Sequence, residues 1–257
     1  MIEASALRPA LLAVLLLGPG ATLQAQSDPP PAPFAIGEEL IYRVRAGRLG
    51  TIGRASMRVE GPEVVRGHTT YLLRFDFRGK VGFFTVEDRT RSWLCPEQMA
   101  SVRYEKHERQ PFSSHHEEVE LYPDERRWEA ADGAAGESPT DAPLDELSFL
   151  YYLRTLPLVE GETYTLDRHF HAERNPVVAR VLRREAVTVA AGTYSTLVVE
   201  MRVKDRKRYG GEGVLHLYIA DDERRYPVRI ESSIPVVGKM VLELEAPPAD
   251  ATATVQG

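Results

Sequence analysis

Leu40-Ile-Tyr-Arg-Val-Arg45 and Arg54-Ala-Ser-Met-Arg-Val59 decide the fold, because apolar and charged residues alternate through both stretches. Successive side chains of a β-strand point to opposite faces of a sheet, so this period of two predicts strands with one buried face and one face in water. Similar stretches recur along the chain, and the turns between them are mostly short. The pattern predicts about fourteen strands in a mainly β, antiparallel meander that forms a barrel-like or sandwich fold.

One segment departs from this period of two. Residues 143–157 are predicted to form one short apolar helix, with Asp141 as its N-cap and Pro157 ending it. Apolar residues cover most of the helix circumference, which favours burial against the sheet or in the mouth of a barrel. The small, polar residues 130–140 are predicted to form a loop or a partial domain boundary, and residues 163–170, 177–183 and 185–189 are predicted to form separate strands.

The first 33 residues indicate export. Arg8 precedes the apolar run at residues 9–17, and small residues follow before a proline-rich stretch. This is typical of a secretory signal peptide rather than a membrane span. We therefore expect a signal peptide at residues 1–25, a proline-rich spacer at 26–33, a single β-rich domain at 34–246 and a disordered tail at 247–257. The residue after the predicted cut is Gln26 rather than cysteine, so the sequence favours a periplasmic protein without a lipid anchor.

Charge and cysteine content exclude several classes of function. The formal net charge of −6 argues against nucleic acid, whose phosphates require a basic face. No later apolar run reaches the length of a transmembrane helix, so we expect no transmembrane segment in the mature chain. Cys95 is the single cysteine, so no intramolecular disulfide can form. No sequence motif points to a cofactor, and none is expected.

Several short motifs occur in a fixed order, and together they resemble the bacterial family catalogued as domain of unknown function 3108. The resemblance covers roughly residues 34–246 and implies an exported, envelope-associated β protein. It brings no established activity, so no catalytic residue is carried over. The motifs are Phe34-Ala-Ile-Gly-Glu-Glu-Leu-Ile-Tyr42, the small residues from Gly50 to Ala55, Asp145-Glu-Leu-Ser-Phe-Leu-Tyr-Tyr-Leu-Arg154, Ala191-Gly-Thr-Tyr194, Asp221-Asp-Glu-Arg-Arg-Tyr-Pro-Val-Arg229 and Val237-Gly238.

Catalytic and metal-binding motifs find little support in the sequence. His169 and His171 would place two imidazoles on one face of a strand, a spacing that metal sites use, but the spacing of the cupin metal motif is absent. We therefore assign no metal site and keep the two histidines as weak candidates. No Gly-x-Ser-x-Gly elbow occurs. A pair of distant carboxylates acting as a glycosidase cannot be derived from one sequence, so an envelope glycan hydrolase stays an alternative.

The leading hypothesis is a non-enzymatic protein that binds an amphiphilic envelope component, such as a lipid or a lipid-linked glycan, in the cavity of a β-barrel. A barrel of short strands readily encloses a cavity, and an apolar helix suits its mouth. A structural protein that docks an envelope partner is the other alternative. The candidate ligand-binding residues are Leu147, Phe149, Tyr151 and Tyr152 on the helix, and Arg206 and Arg208 in a basic hairpin.

Overall fold

A computed structural model describes residues 32–110, 112–205, 210–234 and 238–248. The predicted signal peptide, nearly all of the spacer and nearly all of the tail lie outside these residues. Within the described part, fourteen strands and one α-helix, α1, alternate with short turns. The elements are β1 (Glu39–Ala46), β2 (Gly50–Val65), β3 (His68–Val81), β4 (Phe84–Cys95), β5 (Ala100–Gln110), β6 (Ser113–Tyr122), β7 (Arg127–Ala130), β8 (Ala135–Glu137), α1 (Glu146–Thr155), β9 (Thr163–Leu166), β10 (Val177–Val189), β11 (Gly192–Asp205), β12 (Gly211–Ala220), β13 (Pro227–Ile234) and β14 (Gly238–Leu244).

All fourteen strands belong to one sheet, in the order β8-β7-β6-β5-β4-β3-β2-β1-β14-β13-β12-β11-β10-β9. Strands β2 to β8 thus follow β1 in sequence order on one side of it. On the other side, β14 lies next to β1, and the order runs back to β9 at the far edge. Neighbouring strands are antiparallel, for example Tyr42 opposite Ala55 and Leu244. The predicted antiparallel meander is therefore confirmed, and a single continuous sheet favours the barrel-like alternative over a sandwich.

The edge strands β8 and β9 are not hydrogen-bonded to each other, so the sheet is not closed. Pro143 and Leu144 connect its two halves instead, and we refer to these two residues as the strap. The carbonyl of Pro143 accepts a hydrogen bond from the backbone N–H of Ser101 on β5 at 2.7 Å. On the other side, the N–H of Leu144 donates to the carbonyl of Arg168 at 2.6 Å, and the N–H of Phe170 donates to the carbonyl of Leu144 at 3.2 Å. The sheet must therefore curl until β5 and the segment after β9 reach the same strap.

The strap explains why the predicted start of the helix is wrong. The N-cap is Asp145, not Asp141, because Asp145 accepts hydrogen bonds from the backbone N–H groups of Leu147 and Ser148. Ser148 closes the capping box by accepting from the N–H of Asp145 at 2.8 Å. Residues 143 and 144 are extended because their backbone groups bond to the sheet rather than to the helix.

Three strand predictions also need correction. Residues 135–137 form strand β8, since the backbone at this point pairs with β7 despite its small side chains. Residues 177–189 form one strand, β10, because a bulge near residue 182 keeps both halves paired with β11. Strand β9 ends at Leu166, so His169 and His171 follow the strand, and His169 takes part only in an isolated bridge with Leu144.

The C-terminal half of α1 is held by a buried ion pair. Arg154 is 1% exposed, and its guanidinium donates to both carboxylate oxygens of Glu38 at 2.6 and 2.7 Å. It also donates to the carbonyls of Pro33 and Arg224, each at 2.8 Å. Burial alone would lower the pKa of Arg154, but the hydrogen bonds and the charge of Glu38 raise it, so the side chain stays charged. One side chain therefore joins the helix, the segment before β1 and the β12–β13 turn.

Three of the six motifs quoted for the family resemblance contribute to this ion pair, through Glu38, Arg154 and the carbonyl of Arg224. Phe34 contacts Tyr151 edge-on, with ring centroids 5.1 Å apart, and Arg225 donates to the carbonyl of Leu156 at the end of α1. Tyr194 lies against Tyr226, with ring centroids 5.9 Å apart. The residues that carry the resemblance thus act here as packing and capping groups. We refer to Glu38, Arg154 and the groups that bind them as the helix lock.

Candidate functional site

An apolar cavity of about 210 Å³ lies inside the curled sheet. Its walls come from both halves of the sheet, and the N-terminal half of α1 forms one side. Most lining side chains are aliphatic, aromatic or methionine, and the polar ones come from β4, β5, α1, the segment 169–174, the end of β11 and β13. The lining residues used below are Val44, Met57, Phe75, Phe77, Asp88, Thr90, Lys106, Glu146, Leu147, Phe149, Leu150, His169, Arg174, Met201, Lys204, Asp205, Leu215 and Leu242.

The apolar wall follows from the period of two in the strands. Val44 on β1, Met57 on β2 and Met201 on β11 occupy inward positions of their strands and are at most 4% exposed. Phe75 and Phe77 on β3 also point inward and are only partly buried. Their rings border the cavity instead of packing fully against a neighbour, so this part of the interior retains apolar surface that a ligand could cover.

The helix side of the cavity is positioned by the buried cap of α1. The carboxylate of Asp145 accepts a hydrogen bond from the hydroxyl of Ser92 on β4 at 2.5 Å, in addition to the two helix N–H groups. The hydroxyl of Ser101 on β5 donates to that of Ser148 at 2.9 Å. These bonds dock the first turn of α1 on β4 and β5. Leu147, Phe149 and Leu150 are thereby directed toward the cavity.

The structure separates the four helix residues that the sequence singles out. Leu147 and Phe149 line the cavity. Tyr151 is fully buried against Phe34 in the helix lock, and Tyr152 lies beneath the guanidinium of Arg168, 4.3 Å from the ring centroid. Neither tyrosine lines the cavity. The proposals below therefore use Leu147 and Phe149. Arg206 and Arg208 lie outside the described residues, so their predicted role stays a prediction.

Four charged side chains form a chain of ion pairs along one wall of the cavity. Glu146 accepts a hydrogen bond from Lys106 on one carboxylate oxygen at 2.6 Å and from Arg174 on the other at 2.8 Å. Arg174 also lies 3.5 Å from the carboxylate of Asp205. Burial alone would lower the pKa of Arg174, but Glu146 and Asp205 raise it, so this side chain stays charged. The chain of ion pairs connects β5, α1, residues 172–174 and β11 across the side that the strap spans.

Sequence reasoning missed this ion-pair chain. Its members lie far apart along the chain, and each one reads as an ordinary exposed charge in a strand or turn. One local signal existed: Lys106 occupies the same inward parity on β5 as Tyr104, so the alternation alone predicts a buried lysine. A buried lysine requires an acidic partner. The sequence does not show that the partner is Glu146.

Among the described residues, His169 is the one histidine that lines the cavity. It is 4% exposed and stacks near Phe149 and Phe170, with ring centroids 6.2 and 4.8 Å away. Burial, followed by the charge of Arg174, lowers the pKa of His169 well below its ordinary value of 6.5, so the imidazole is neutral near pH 7. His171 lies parallel to it at 5.9 Å, outside the cavity lining.

Within the described residues, no group of three or more histidine, cysteine, aspartate or glutamate side chains is arranged to hold a metal ion. Nδ1 of His169 already accepts the backbone N–H of His171 at 3.0 Å, so that lone pair is used. No helix in the described part of the chain is both long enough and apolar enough to span a membrane.

A larger, polar depression of about 490 Å³ lies on the outer face of β2, β3 and β4. Several of its arginines form ion pairs with acids on a neighbouring strand or just beyond the end of β14, so much of their charge is balanced. Examples are Arg54 with Glu245, Arg58 with Glu39, Arg74 with Glu60 and Arg78 with Glu87. Cross-strand ion pairs of this kind are typical of a solvated sheet face. We therefore take the smaller interior cavity as the candidate site.

Exposed aromatic rings lie at two neighbouring hairpin tips. Phe83 and Phe84 lie at the β3–β4 turn, and Phe112 lies at the β5–β6 turn. Phe83 is fully exposed and Phe112 is 90% exposed, while Phe84 contacts Phe112 with ring centroids 5.2 Å apart. Exposed apolar groups that cluster in this way often mark an interaction surface. We refer to these three rings as the aromatic tips.

Comparison with known proteins identifies the family. The model of the family of proteins of unknown function DUF3108 matches residues 41–245, and the chain therefore belongs to this family. Among curated proteins, none matches the chain.

Solved structures show a similar architecture at low sequence identity. A β-barrel-like protein of the family DUF1849 from Brucella abortus has a TM-score of 0.51 and 11% identity, over 83% of this chain and 98% of its own. A lipoprotein candidate from Parabacteroides distasonis has a TM-score of 0.37 and 10% identity, over 82% and 95%. A candidate exported protein with a YmcC-like fold from Bacteroides fragilis has a TM-score of 0.35 and 11% identity, over 84% and 97%. The first similarity supports the barrel-like fold and nothing further about function.

Proposed function

We propose that this protein is a non-enzymatic, periplasmic binding protein that takes the acyl part of an amphiphilic envelope component into its interior cavity. The observation that carries the proposal is the cavity itself, about 210 Å³ of space lined mainly by apolar side chains inside an otherwise packed sheet. Each methylene that an acyl chain buries there contributes about 0.8 kcal/mol to binding.

The charged wall supports a binding role rather than hydrolysis. Glu146, the acid contributed by α1, accepts from Lys106 on one carboxylate oxygen and from Arg174 on the other, so both oxygens are already engaged by cations. Asp205 faces Arg174, and Asp88 accepts the hydroxyl of Thr90 at 2.9 Å. Acids bound in this way suit a fixed polar boundary for the apolar space, with the head of the amphiphile at that boundary.

The first experiment is native mass spectrometry of the mature protein purified from a bacterial periplasm, with lipid extraction of the same sample. We expect a stoichiometric amphiphile that is released on denaturation. A Leu215→Trp variant should lose that mass because the larger side chain fills the cavity. Leu49→Trp is the matched control, since Leu49 is 58% exposed outside the cavity. A wild-type protein that carries no amphiphile and binds none when methyl laurate, laurate and dodecane are each supplied would contradict the proposal.

Chain length provides a second, quantitative test. Extending a saturated acyl ligand by two methylenes should tighten binding about 15-fold while the added groups still enter the cavity. Affinity should stop rising once the chain fills the space. Binding to an exposed apolar surface would show a weaker and more gradual dependence, so a series of methyl esters of saturated fatty acids titrated by calorimetry separates the two cases.

A second candidate function, docking of an envelope partner, is favoured by the aromatic tips. When a partner covers exposed phenylalanine rings, their apolar surface is removed from water, and this favours binding. Phe83→Ser combined with Phe112→Ser should then abolish capture of that partner and leave the mass of a co-purified amphiphile unchanged.

A further inference from the structure

His169 lines the cavity, and its buried ring nitrogen Nε2 has no hydrogen-bond partner among the described residues. Its backbone is held on both sides, because the N–H donates to Oδ1 of Asn175 at 2.8 Å and the carbonyl accepts from Nδ2 of the same residue at 2.8 Å. The ring stacks near Phe149 and Phe170, with centroids 6.2 and 4.8 Å away, so it has little freedom to turn away. The imidazole is thus a fixed group on the cavity wall rather than a mobile one.

The hydrogen bonds of the ring determine where its proton lies. The backbone N–H of His171 donates to Nδ1 of His169 at 3.0 Å, so Nδ1 must be the unprotonated nitrogen. A neutral imidazole then carries its proton on Nε2. That nitrogen is buried and has no hydrogen-bond partner among the described residues. A buried donor without an acceptor carries the cost of its lost hydration, which a ligand that supplies an acceptor would recover.

We propose that Nε2–H of His169 donates a hydrogen bond to the carbonyl oxygen of an ester- or amide-linked acyl chain bound in the cavity. This inference rests on the proposed function and deepens it by naming the chemical class of the ligand. The donor selects for an oxygen within the apolar part of the molecule, at the point where the acyl chain joins its head.

The charges around the cavity favour an uncharged carbonyl over a free carboxylate. Among the described residues that line the space, three are acids and three are bases, so the formal charges of these six balance. Arg174 is already paired with Glu146 and Asp205, and Lys204 donates to the carbonyl of Asn175 at 2.6 Å. A buried carboxylate would need a cation of its own. A carbonyl needs one neutral donor, which His169 supplies.

The test compares three ligands that share a chain length: methyl laurate, laurate and dodecane, each measured by displacement of an apolar naphthylamine dye. Wild-type protein should bind methyl laurate most tightly. His169→Phe keeps an aromatic ring between Phe149 and Phe170 but removes the donor, and should weaken methyl laurate binding about 2- to 12-fold while leaving dodecane unchanged. His169→Gln retains a donor and should restore part of the preference. His116→Phe, at an exposed histidine, is the matched control.

Long-range ¹⁵N–¹H spectra of the wild-type imidazoles give an independent readout that needs no variant to fold. The His169 signals should show the proton on Nε2, and that proton should move downfield when methyl laurate is added. A proton on Nδ1, or equal affinities of wild type and His169→Phe for methyl laurate, would overturn the inference. Both results leave the proposed function intact if all three ligands still bind. Failure of all three ligands to bind would overturn the proposed function as well.

Discussion

Breaking the buried ion pair of the helix lock should destabilise the protein strongly. In Arg154→Met, Glu38 loses both of its guanidinium hydrogen bonds while its side chain stays 12% exposed, so a nearly buried carboxylate is left unpaired. The carbonyls of Pro33 and Arg224 lose a donor in the same step. Removing one partner of a buried pair costs about 3–5 kcal/mol, against a total of about 5–15 kcal/mol for a typical domain. Urea unfolding followed by circular dichroism measures the change.

A double-mutant cycle separates the ion pair from general packing. Glu38→Gln combined with Arg154→Met removes both charges. The loss of unfolding free energy in the double variant should therefore be about 0.5–3 kcal/mol smaller than the sum of the losses in the two single variants. Arg202→Met is the control, because Arg202 is half-exposed and pairs with Glu200 at the surface, where an ion pair contributes about 0–1 kcal/mol. The reasoning fails if Arg154→Met costs no more than Arg202→Met, or if the two single effects at the lock simply add.

Three further predictions concern residues outside the lock. The pKa of His169 is lowered in the folded protein, so below about pH 6.5 the unfolded chain takes up a proton that the folded chain does not. The free energy of unfolding should therefore decrease as the pH falls from 7 to 5. His169→Phe should remove up to about 1.4 kcal/mol per pH unit of that dependence in urea titrations, and an unchanged slope in the variant would contradict the prediction. Gly53→Ala should lower the free energy of unfolding by about 1–3 kcal/mol, because a Cβ there would lie 2.2 Å from the carbonyl oxygen of Arg78. Thermal unfolding measures the change, and Ala55→Gly, which removes a Cβ from the same strand, is the control. Phe83→Ser with Phe112→Ser should change the free energy of unfolding by less than about 0.5 kcal/mol, since both rings are exposed, and a larger loss would show that they are packed.

The β architecture was predictable because it depends on local alternation. In β1, Leu40, Tyr42 and Val44 are fully buried and the residues between them face outward, as the period of two requires. The prediction fails where tertiary contacts outweigh local pattern. Residues 135–137 offer no alternating signal, yet their backbone groups complete the sheet beside β7.

The start of the helix shows the same limit. Asp141 is predicted as the N-cap because aspartate suits that position and Pro143, a residue type that often begins a helix, follows closely. The structure selects Asp145 because Ser92 reaches its carboxylate from β4 and because Pro143 and Leu144 are needed in the strap. Neither contact is visible from residues near the helix.

The cavity was predictable in kind but not in its lining. Alternation identifies Phe75 and Phe77 as inward-facing, and it does the same for many residues that are packed completely. Which inward faces remain uncovered depends on how far the sheet curls, and the strap and the ion-pair chain determine that. The sequence singled out Tyr151 for its apolar helix position, but this tyrosine contacts Phe34 in the lock, while His169, considered only as a metal ligand, lies on the cavity wall.

One helix therefore serves two purposes along its length. Its C-terminal half carries Arg154 into the lock, and its N-terminal half brings Glu146, Leu147 and Phe149 to the cavity. A ten-residue helix is about 15 Å long and rigid, so a shift at one end moves the other. Residues of three of the motifs quoted for the resemblance, around Glu38, Arg154 and Arg224, form the lock and so position the helix. The proposed ligand chemistry rests instead on the opposite end, where the apolar walls and Nε2 of His169, which has no hydrogen-bond partner among the described residues, line or border the cavity.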